Sequence, residues 1–212
     1  MPLSSDIARA LRQRRTLRRM LVMIVGIILT SIAADHAGVF GYRGDDWKAF
    51  DKQRFFVSKI VDGDTVYIHS PANPTSETKV RLLGIDAPEM SAEGGLPAYW
   101  AEQATTYLRV RALHQSVIVR LESTKTRDKY GRLLAYLYLS ESDDLNLDCV
   151  RDGQAYADRR FRHSLQTQFE QAEGAARKAR SGLWKDVRDD QMPEWRRRWL
   201  AEWQARKSHP SN

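Results

Sequence analysis

The chain has 212 residues, 42% of them hydrophobic, which suffices for one domain with a sizeable core and terminal extensions and argues against two full domains. The net charge of +7 comes from the two ends: residues 1–19 hold six Arg and one Asp, residues 191–212 hold five basic and two acidic groups, and residues 51–190 are formally neutral. The single cysteine, Cys149, permits no intramolecular disulfide and is expected to pack in the core, and the five scattered His show no zinc-ligand spacing.

The N-terminal segment has the pattern of an export or membrane-anchoring sequence. The Arg-rich residues 1–19 precede an apolar run of fifteen residues from Met20 to Ala34. This run is at the upper limit of a signal-peptide core and shorter than the roughly 20 residues that span a bilayer comfortably. We predict a basic cytoplasmic leader over 1–19 and a signal anchor or signal peptide over 20–42, with an uncleaved anchor slightly favoured over cleavage. A buried core helix is the alternative.

Either outcome places the remaining chain outside the cytoplasm, because the Arg cluster stays on the cytoplasmic side. The protein is then either a single-pass protein of the cell membrane or a secreted or periplasmic one. Residues 43–53 mix Gly, Asp and aromatic side chains without a clear period, which predicts a linker or a loosely docked arm.

Alternating apolar residues then predict a series of strands. The segments with this pattern are residues 54–60, 64–69, 79–85, 116–122 and 132–140. A polar, Pro-containing loop is predicted over 70–78. Helical spacing predicts a helix that opens at Pro97, a short one over 146–152 and a longer one over 163–180.

This order of elements predicts the fold class. Five strands in mostly sequential order, with a helix after the third and more helices at the end, indicate a small closed barrel of the oligonucleotide-binding (OB) type with helices over residues 54–186. An open α+β sandwich is the alternative.

The C-terminal residues 187–212 are predicted to form a linker and an amphipathic helix. Trp195, Trp199 and Trp203 lie on one helical stripe beside three consecutive Arg at 196–198. Packing of this stripe on the domain is favoured, because apolar helical stripes usually face a core. The alternatives are an interfacial helix on anionic lipid and a phosphate-contacting arm.

Three polar motifs lie at the ends of predicted strands. They are Val-Asp-Gly-Asp-Thr (61–65), Arg-Leu-Leu-Gly-Ile-Asp-Ala-Pro-Glu (81–89) and Thr-Arg-Asp-Lys-Tyr-Gly-Arg-Leu-Leu-Ala-Tyr (126–136). Carboxylates supply oxygen ligands for a hard divalent cation, and guanidinium groups supply planar donors for a phosphate. Either of the first two motifs alone would be interpreted as a β-turn with solvated acidic residues. Their combination indicates metal-assisted phosphodiester chemistry.

The three motifs, the strands between them and the Gly-Leu-Trp ending at 182–184 resemble the thermonuclease family, the staphylococcal-nuclease-like domains, over about residues 54–185. This resemblance implies a five-stranded barrel with helices and Ca²⁺-dependent hydrolysis of DNA and RNA with low sequence specificity. It also implies the metal ligands. Asp64 and Asp86 match the calcium-binding carboxylates, and Ala87 matches the position whose backbone carbonyl completes the protein ligands.

The catalytic and substrate-binding roles also follow from the resemblance. Glu89 matches the carboxylate that holds or deprotonates the attacking water. Arg81 and Arg132 match the pair that grips the phosphate, and Lys129 and Tyr130 match a nucleotide-contacting pair. We expect a monomer.

Several of these polar residues have simpler interpretations. Asp62 is predicted to form a turn, and Arg127 and Asp128 are predicted to be surface charges. Arg81 could equally be a structural ion-pair partner of the two aspartates. Relatives usually carry a nucleotide-packing tyrosine within residues 153–161, where this chain has Asp158 and Arg159, and Tyr156 or Phe161 is the candidate replacement.

Two other functions remain open at this stage. The chain could be a non-catalytic nucleic-acid-binding module of the same fold, or an envelope scaffold organised by its terminal segments. A degenerate module is expected to lack at least one of the five polar residues of the predicted centre. All five are present, which favours the enzyme: Asp64, Arg81, Asp86, Glu89 and Arg132.

Overall fold

The computed structural model describes residues 16–30, 44–91, 95–122 and 125–208, and the chain divides into two compact units at residues 43 and 44. In the first unit, residues 16–30 form one helix, α1, with exposed side chains. Among the described residues, no helix has both the length and the apolar composition needed to cross a bilayer. Residues 1–15 of the predicted leader and 31–42 of the predicted membrane segment lie outside the described part.

The second unit combines strands with helices. Its strands are β1 (Arg54–Ile60), β2 (Thr65–Ser70), β3 (Asn73–Leu82), β4 (Ile85–Asp86), β5 (Ser116–Leu121), β6 (Leu133–Ser140), β7 (Asp143–Asp144) and β8 (Tyr156–Ala157). Its α-helices are α2 (Gly44–Phe50), α3 (Ala101–Ala112), α4 (Leu145–Arg151), α5 (Gln166–Ala179) and α6 (Glu194–Ser208). Two 3₁₀ turns, Gly182–Lys185 and Asp189–Gln191, connect α5 to α6.

Five of the strands form a closed barrel. The antiparallel order is β3-β2-β1-β5-β6, and β3 also pairs with β6 in parallel, so that no long edge stays open. Strand β7 continues the sheet beyond β6, and β4 pairs separately with β8. The predicted five-stranded barrel of OB type with helices is therefore confirmed, and the open sandwich is wrong.

Some element boundaries differ from the sequence-based prediction. Strand β3 begins at Asn73 and pairs with β2 as far as Ser70 and Asn73, so most of the predicted 70–78 loop is strand. Its polar composition is compatible with a strand because this half of β3 is exposed. Strand β3 ends at Leu82 because Gly84 turns the chain with a φ of 79°. A side chain is not tolerated at this turn, since a Cβ on Gly84 would lie 2.6 Å from the His163 ring.

Helix α2 replaces much of the predicted linker over 43–53. Trp47 and Phe50 pack against the barrel core, and the buried Asp46 accepts hydrogen bonds from Thr126 and Arg127. No local pattern marks this helix because it has only seven residues, and its docking depends on partners about eighty positions away.

The barrel core and a second apolar cluster determine where α6 lies. Tyr156, Leu183, Trp184 and Met192 form part of the second cluster, and partly buried residues of α6 pack against it. The C-terminal helix therefore packs on the domain, as favoured from the sequence. Its most buried side chain is Arg196, at 0% exposure, rather than one of the tryptophans.

Candidate active site

The turn between β1 and β2 presents Asp64 to the segment that follows β4. Asp62 Oδ1 accepts a hydrogen bond from the Asp64 amide at 3.1 Å, which fixes the turn as predicted for Asp62. A Cβ at Gly63 would lie 2.6 Å from the Ala87 Cβ and 2.9 Å from the Ala104 Cβ, so only glycine allows this approach. Asp64 Oδ2 consequently accepts from the Ala87 amide at 2.8 Å.

Arg81 connects the two aspartates. The β2–β3 register places Arg81 opposite Thr65, directly beside Asp64. Its NH1 forms an ion pair with Asp64 Oδ1, and its NH2 donates to Asp86 Oδ1 at 2.9 Å. Burial lowers the pKa of Arg81, an effect that the negative charge of Asp86 opposes. The ion-pair interpretation of Arg81 is thus observed, and both carboxylates are buried beside it, at 4% and 7% exposure.

Asp86 has two further donors that the sequence analysis did not identify. Pairing of Asp86 with Tyr156 in the β4–β8 bridge brings the following segment close, and Arg160 NH2 donates to Asp86 Oδ1 at 2.8 Å. Asp158 holds the same guanidinium by two hydrogen bonds at 2.9 Å. Trp195 of α6 donates from Nε1 to Asp86 Oδ2 at 2.8 Å.

Glu89 lies at the exposed edge of this network. Its side chain is exposed, so its carboxylate is accessible to a ligand. Partial burial raises the pKa of Glu89, and the negative charge of Asp62 has the same effect. The positive charges of Arg81 and Arg132 act in the opposite direction. These effects place Glu89 within electrostatic reach of both predicted phosphate-binding arginines.

Asp128 orients Arg132. Its Oδ2 accepts from Arg132 Nε at 2.6 Å, and its Oδ1 accepts from the Arg132 and Tyr130 amides at 3.0 and 2.9 Å. The prediction that Asp128 is a surface charge was therefore wrong, although its position four residues before Arg132 could have indicated the pair. Arg127 is also structural, since its Nε and NH2 contact Asp46 at 2.9 and 2.8 Å.

The predicted nucleotide-contacting pair remains accessible. Tyr130 is 71% exposed, and the Lys129 Nζ lies 5.0 Å from the centre of its ring. The Arg132 guanidinium lies 5.4 Å from the same ring. The two candidates near 153–161 differ, because Tyr156 is buried edge-on against Trp184 and Phe161 is 64% exposed. Only Phe161 is positioned to contact a ligand.

The oxygen atoms at the centre fit a hard divalent cation. Asp64 and Asp86 supply carboxylate oxygens, and carboxylates and backbone carbonyls, such as the one predicted as a ligand at Ala87, are the ligand types that Ca²⁺ and Mg²⁺ prefer. The guanidinium of Arg81 between the two carboxylates shows that positive charge is stabilised at this position. Within residues 16–30, 44–91, 95–122 and 125–208, no three His, Cys, Asp or Glu side chains form a metal-ligand cluster. The fit therefore depends on the carboxylates of Asp64 and Asp86 and on the backbone carbonyl predicted at Ala87.

The hydrogen bond from Trp195 to Asp86 is expected to orient a metal-binding carboxylate. Trp195→Phe retains an aromatic ring but removes the Nε1 donor. We expect the affinity for Ca²⁺ to fall about 10–100-fold, the usual effect of removing a group that hydrogen-bonds to a metal ligand. Isothermal titration with CaCl₂ measures this. Trp203→Phe, at a partly exposed position of the same helix, is the control and should bind Ca²⁺ like the wild type. Equal affinities for Trp195→Phe and the wild type would contradict the assigned role.

Comparison with known proteins agrees with this geometry. A family model described as staphylococcal nuclease homologue matches residues 79–186. An uncharacterized endonuclease of Haemophilus influenzae is 33% identical over 147 residues, which are 69% of this chain and 75% of that protein. A thermonuclease of Staphylococcus hyicus is 26% identical over 170 residues, covering 79% of this chain and 96% of that protein.

A third relative is much longer than this chain. Endonuclease YhcR of Bacillus subtilis is 30% identical over 142 residues, which are 61% of this chain but only 11% of that protein. The family match covers half of the chain and includes the Arg81 and Asp86 motif, and the barrel and the convergence of its polar residues agree with it. The chain therefore belongs to the staphylococcal nuclease family of phosphodiester-hydrolysing enzymes.

Proposed function

We propose that this protein is a Ca²⁺-dependent nuclease that cleaves DNA and RNA with low sequence specificity. The main support is the contact network in which Arg81 joins the carboxylates of Asp64 and Asp86, beside an accessible Glu89. The printed names of the relatives, thermonuclease and endonuclease, point to the same chemistry. The oxygen-only ligand set supports Ca²⁺ over a softer metal.

Each residue has a defined task in this proposal. Asp64, Asp86 and the Ala87 carbonyl hold the cation, which when bound stabilises negative charge on the attacked phosphate. Glu89 accepts a proton from the attacking water at its carboxylate. Arg132 is held in place by Asp128 and directs its guanidinium to the phosphate oxygens.

Arg81 has a double task. Its ion pairs compensate the negative charge of the two aspartates. If a bound cation balanced that charge instead, the Arg81 guanidinium could turn to a phosphate oxygen. Two guanidinium groups then stabilise the charge that develops on the equatorial phosphate oxygens during in-line attack. Low sequence specificity follows from Lys129 and Tyr130, because charge attraction and ring stacking do not distinguish bases strongly.

Replacing the proposed base should remove cleavage and preserve the fold. Glu89→Gln is nearly isosteric and cannot accept the proton, so we expect kcat to fall about 10²–10⁴-fold, the usual contribution of general base catalysis. The rate of single-strand cleavage in Ca²⁺ measures this. Glu102→Gln, an exposed change on α3, should leave the rate unchanged. Undiminished cleavage by Glu89→Gln would remove Glu89 from the mechanism, and absence of cleavage by the wild type would favour a non-catalytic binding module.

Removal of divalent cations should stop the reaction reversibly. We expect EDTA to abolish cleavage and excess Ca²⁺ to restore it, because the two aspartates and the Ala87 carbonyl offer only hard oxygen ligands. A plasmid digestion series with added Ca²⁺, Mg²⁺ or Zn²⁺ after chelation measures the preference. Restoration by Zn²⁺ alone would show that the assigned ligands are wrong.

We also propose that the catalytic domain lies outside the cytoplasm, tethered or released by the N-terminal segment. The support is the order of six Arg within residues 1–19 followed by the apolar run from Met20 to Ala34. We expect a C-terminally tagged protein to be digested by protease added outside the cytoplasmic membrane, and to be found in the membrane fraction if the segment is an uncleaved anchor. An N-terminal tag distinguishes an anchor from a cleaved signal. Full protection from the external protease would refute this location.

A further inference from the structure

Helix α6 lies beyond the segment matched by the family, yet it is firmly attached to the domain. The fully buried Arg196 donates from NH2 to Glu173 Oε2 at 2.7 Å, and Glu173 is itself only 1% exposed. The guanidinium of Arg196 also lies 5.5 Å from the Trp184 ring and 5.0 Å from the Trp199 ring. A helix held by a buried ion pair and cation–π contacts provides a defined surface.

This surface adjoins the reaction centre. Trp195 contacts Asp86 directly, and the guanidinium of Arg160 lies 5.0 Å from the centre of the Trp195 ring while donating to the other Asp86 oxygen. A ligand that contacts Trp195 and Arg160 is therefore separated from Asp86, a proposed cation ligand, only by these two side chains.

A pocket of about 320 Å³ opens at this place. Its lining combines three guanidinium groups and two indole rings with one carboxylate: Arg159, Arg160, Arg198, Trp195, Trp199 and Glu202. Guanidinium groups bind phosphates, and aromatic side chains stack on nucleic-acid bases without strong preference. The side-chain types of this pocket match a single nucleic-acid strand.

The three arginines differ in how strongly they are engaged. Arg160 is bonded to Asp86 and Asp158, and Arg159 lies 4.1 Å from the centre of the Trp199 ring. Arg198 is 69% exposed at its side chain and pairs with Glu194, an exposed partner at 2.9 Å on the same helix. Exposed pairs of this kind on one helix contribute little to stability. Arg198 is therefore the arginine most readily transferred to a phosphate.

We propose that the pocket between α6 and residues 158–160 is a nucleic-acid subsite that binds the single strand adjacent to the scissile phosphate. The proposal rests on the proposed nuclease function and adds a binding surface outside the matched family segment. A phosphate of the strand pairs with Arg198, and a base lies against the Trp195 and Trp199 rings. A single strand is the occupant rather than a duplex, because stacking on the rings requires an unpaired base.

Binding without cleavage tests this subsite directly. Full-length protein in EDTA is titrated into a fluorescein-labelled twelve-residue deoxythymidine oligonucleotide, and anisotropy is recorded at several salt concentrations. We expect Arg198→Ala to weaken binding and to reduce the slope of log K against log salt by about 0.7, the value for one lost phosphate contact on a single strand. Arg197→Ala is the matched control, because Arg197 is an exposed neighbour on the same helix that does not line the pocket.

Two outcomes of this titration would overturn the proposal. Equal losses for Arg197→Ala and Arg198→Ala would show a general charge effect. Unchanged oligonucleotide binding by Arg198→Ala, together with weaker binding to phosphatidylglycerol vesicles, would assign the helix to an anionic lipid surface. Thermal unfolding of both variants checks that the fold is preserved.

Photo-crosslinking locates the base independently of charge. An oligonucleotide containing 5-iodouracil is irradiated with the protein in EDTA, and tryptic peptides are mapped by mass spectrometry. We expect a crosslink in residues 189–196 or 199–206, the tryptic peptides that contain Trp195 and Trp199. Crosslinks confined to peptides other than these two would overturn the proposal. Because neither measurement needs catalysis, a wild type that binds in this way but fails to cleave in Ca²⁺ would refute the nuclease proposal alone.

Discussion

Two buried carboxylates that face each other determine how this centre is built. Asp64 and Asp86 are 4% and 7% exposed, and ionised groups at such positions are costly unless positive charge or hydrogen-bond donors compensate them. Arg81 lies between them and provides that compensation to both. Gly63 allows the Asp64 turn to approach Ala87, and the β2–β3 register brings Arg81 alongside. The barrel therefore functions mainly as a frame for this charge network.

The network also explains why a helix outside the family segment reaches the candidate active site. The β4–β8 bridge carries Arg160 to one oxygen of Asp86, and α6 delivers Trp195 to the other. The buried pair of Arg196 and Glu173 holds α6 in this position. Asp86 thus receives donors from three parts of the chain, so the packing of the second apolar cluster and the geometry of the proposed cation site depend on each other.

Sequence patterns predicted the individual strands but missed the contacts between residues that lie far apart in the chain. Alternating apolar residues indicated all five barrel strands, and an ion pair of Arg81 with Asp64 or Asp86 was one of the two interpretations of Arg81 that the sequence left open. The contact between Trp195 and Asp86 joins positions 109 residues apart, and that between Arg127 and Asp46 joins positions 81 apart. No periodicity or motif specifies such pairs, because they arise only when separate elements pack together.

The arrangement of donors shows how one network can serve both stability and chemistry. An ionised carboxylate offers about four acceptor positions. Each of the two aspartates engages three partners: Asp64 accepts from Thr65 and Ala87 and forms an ion pair with Arg81, and Asp86 accepts from Arg81, Arg160 and Trp195. About one position on each carboxylate is thus left for another cation, and a turn of Arg81 towards a phosphate would free one more. The contacts that hold the two carboxylates in the fold are consequently the same ones that orient their remaining oxygen lone pairs towards the proposed cation site.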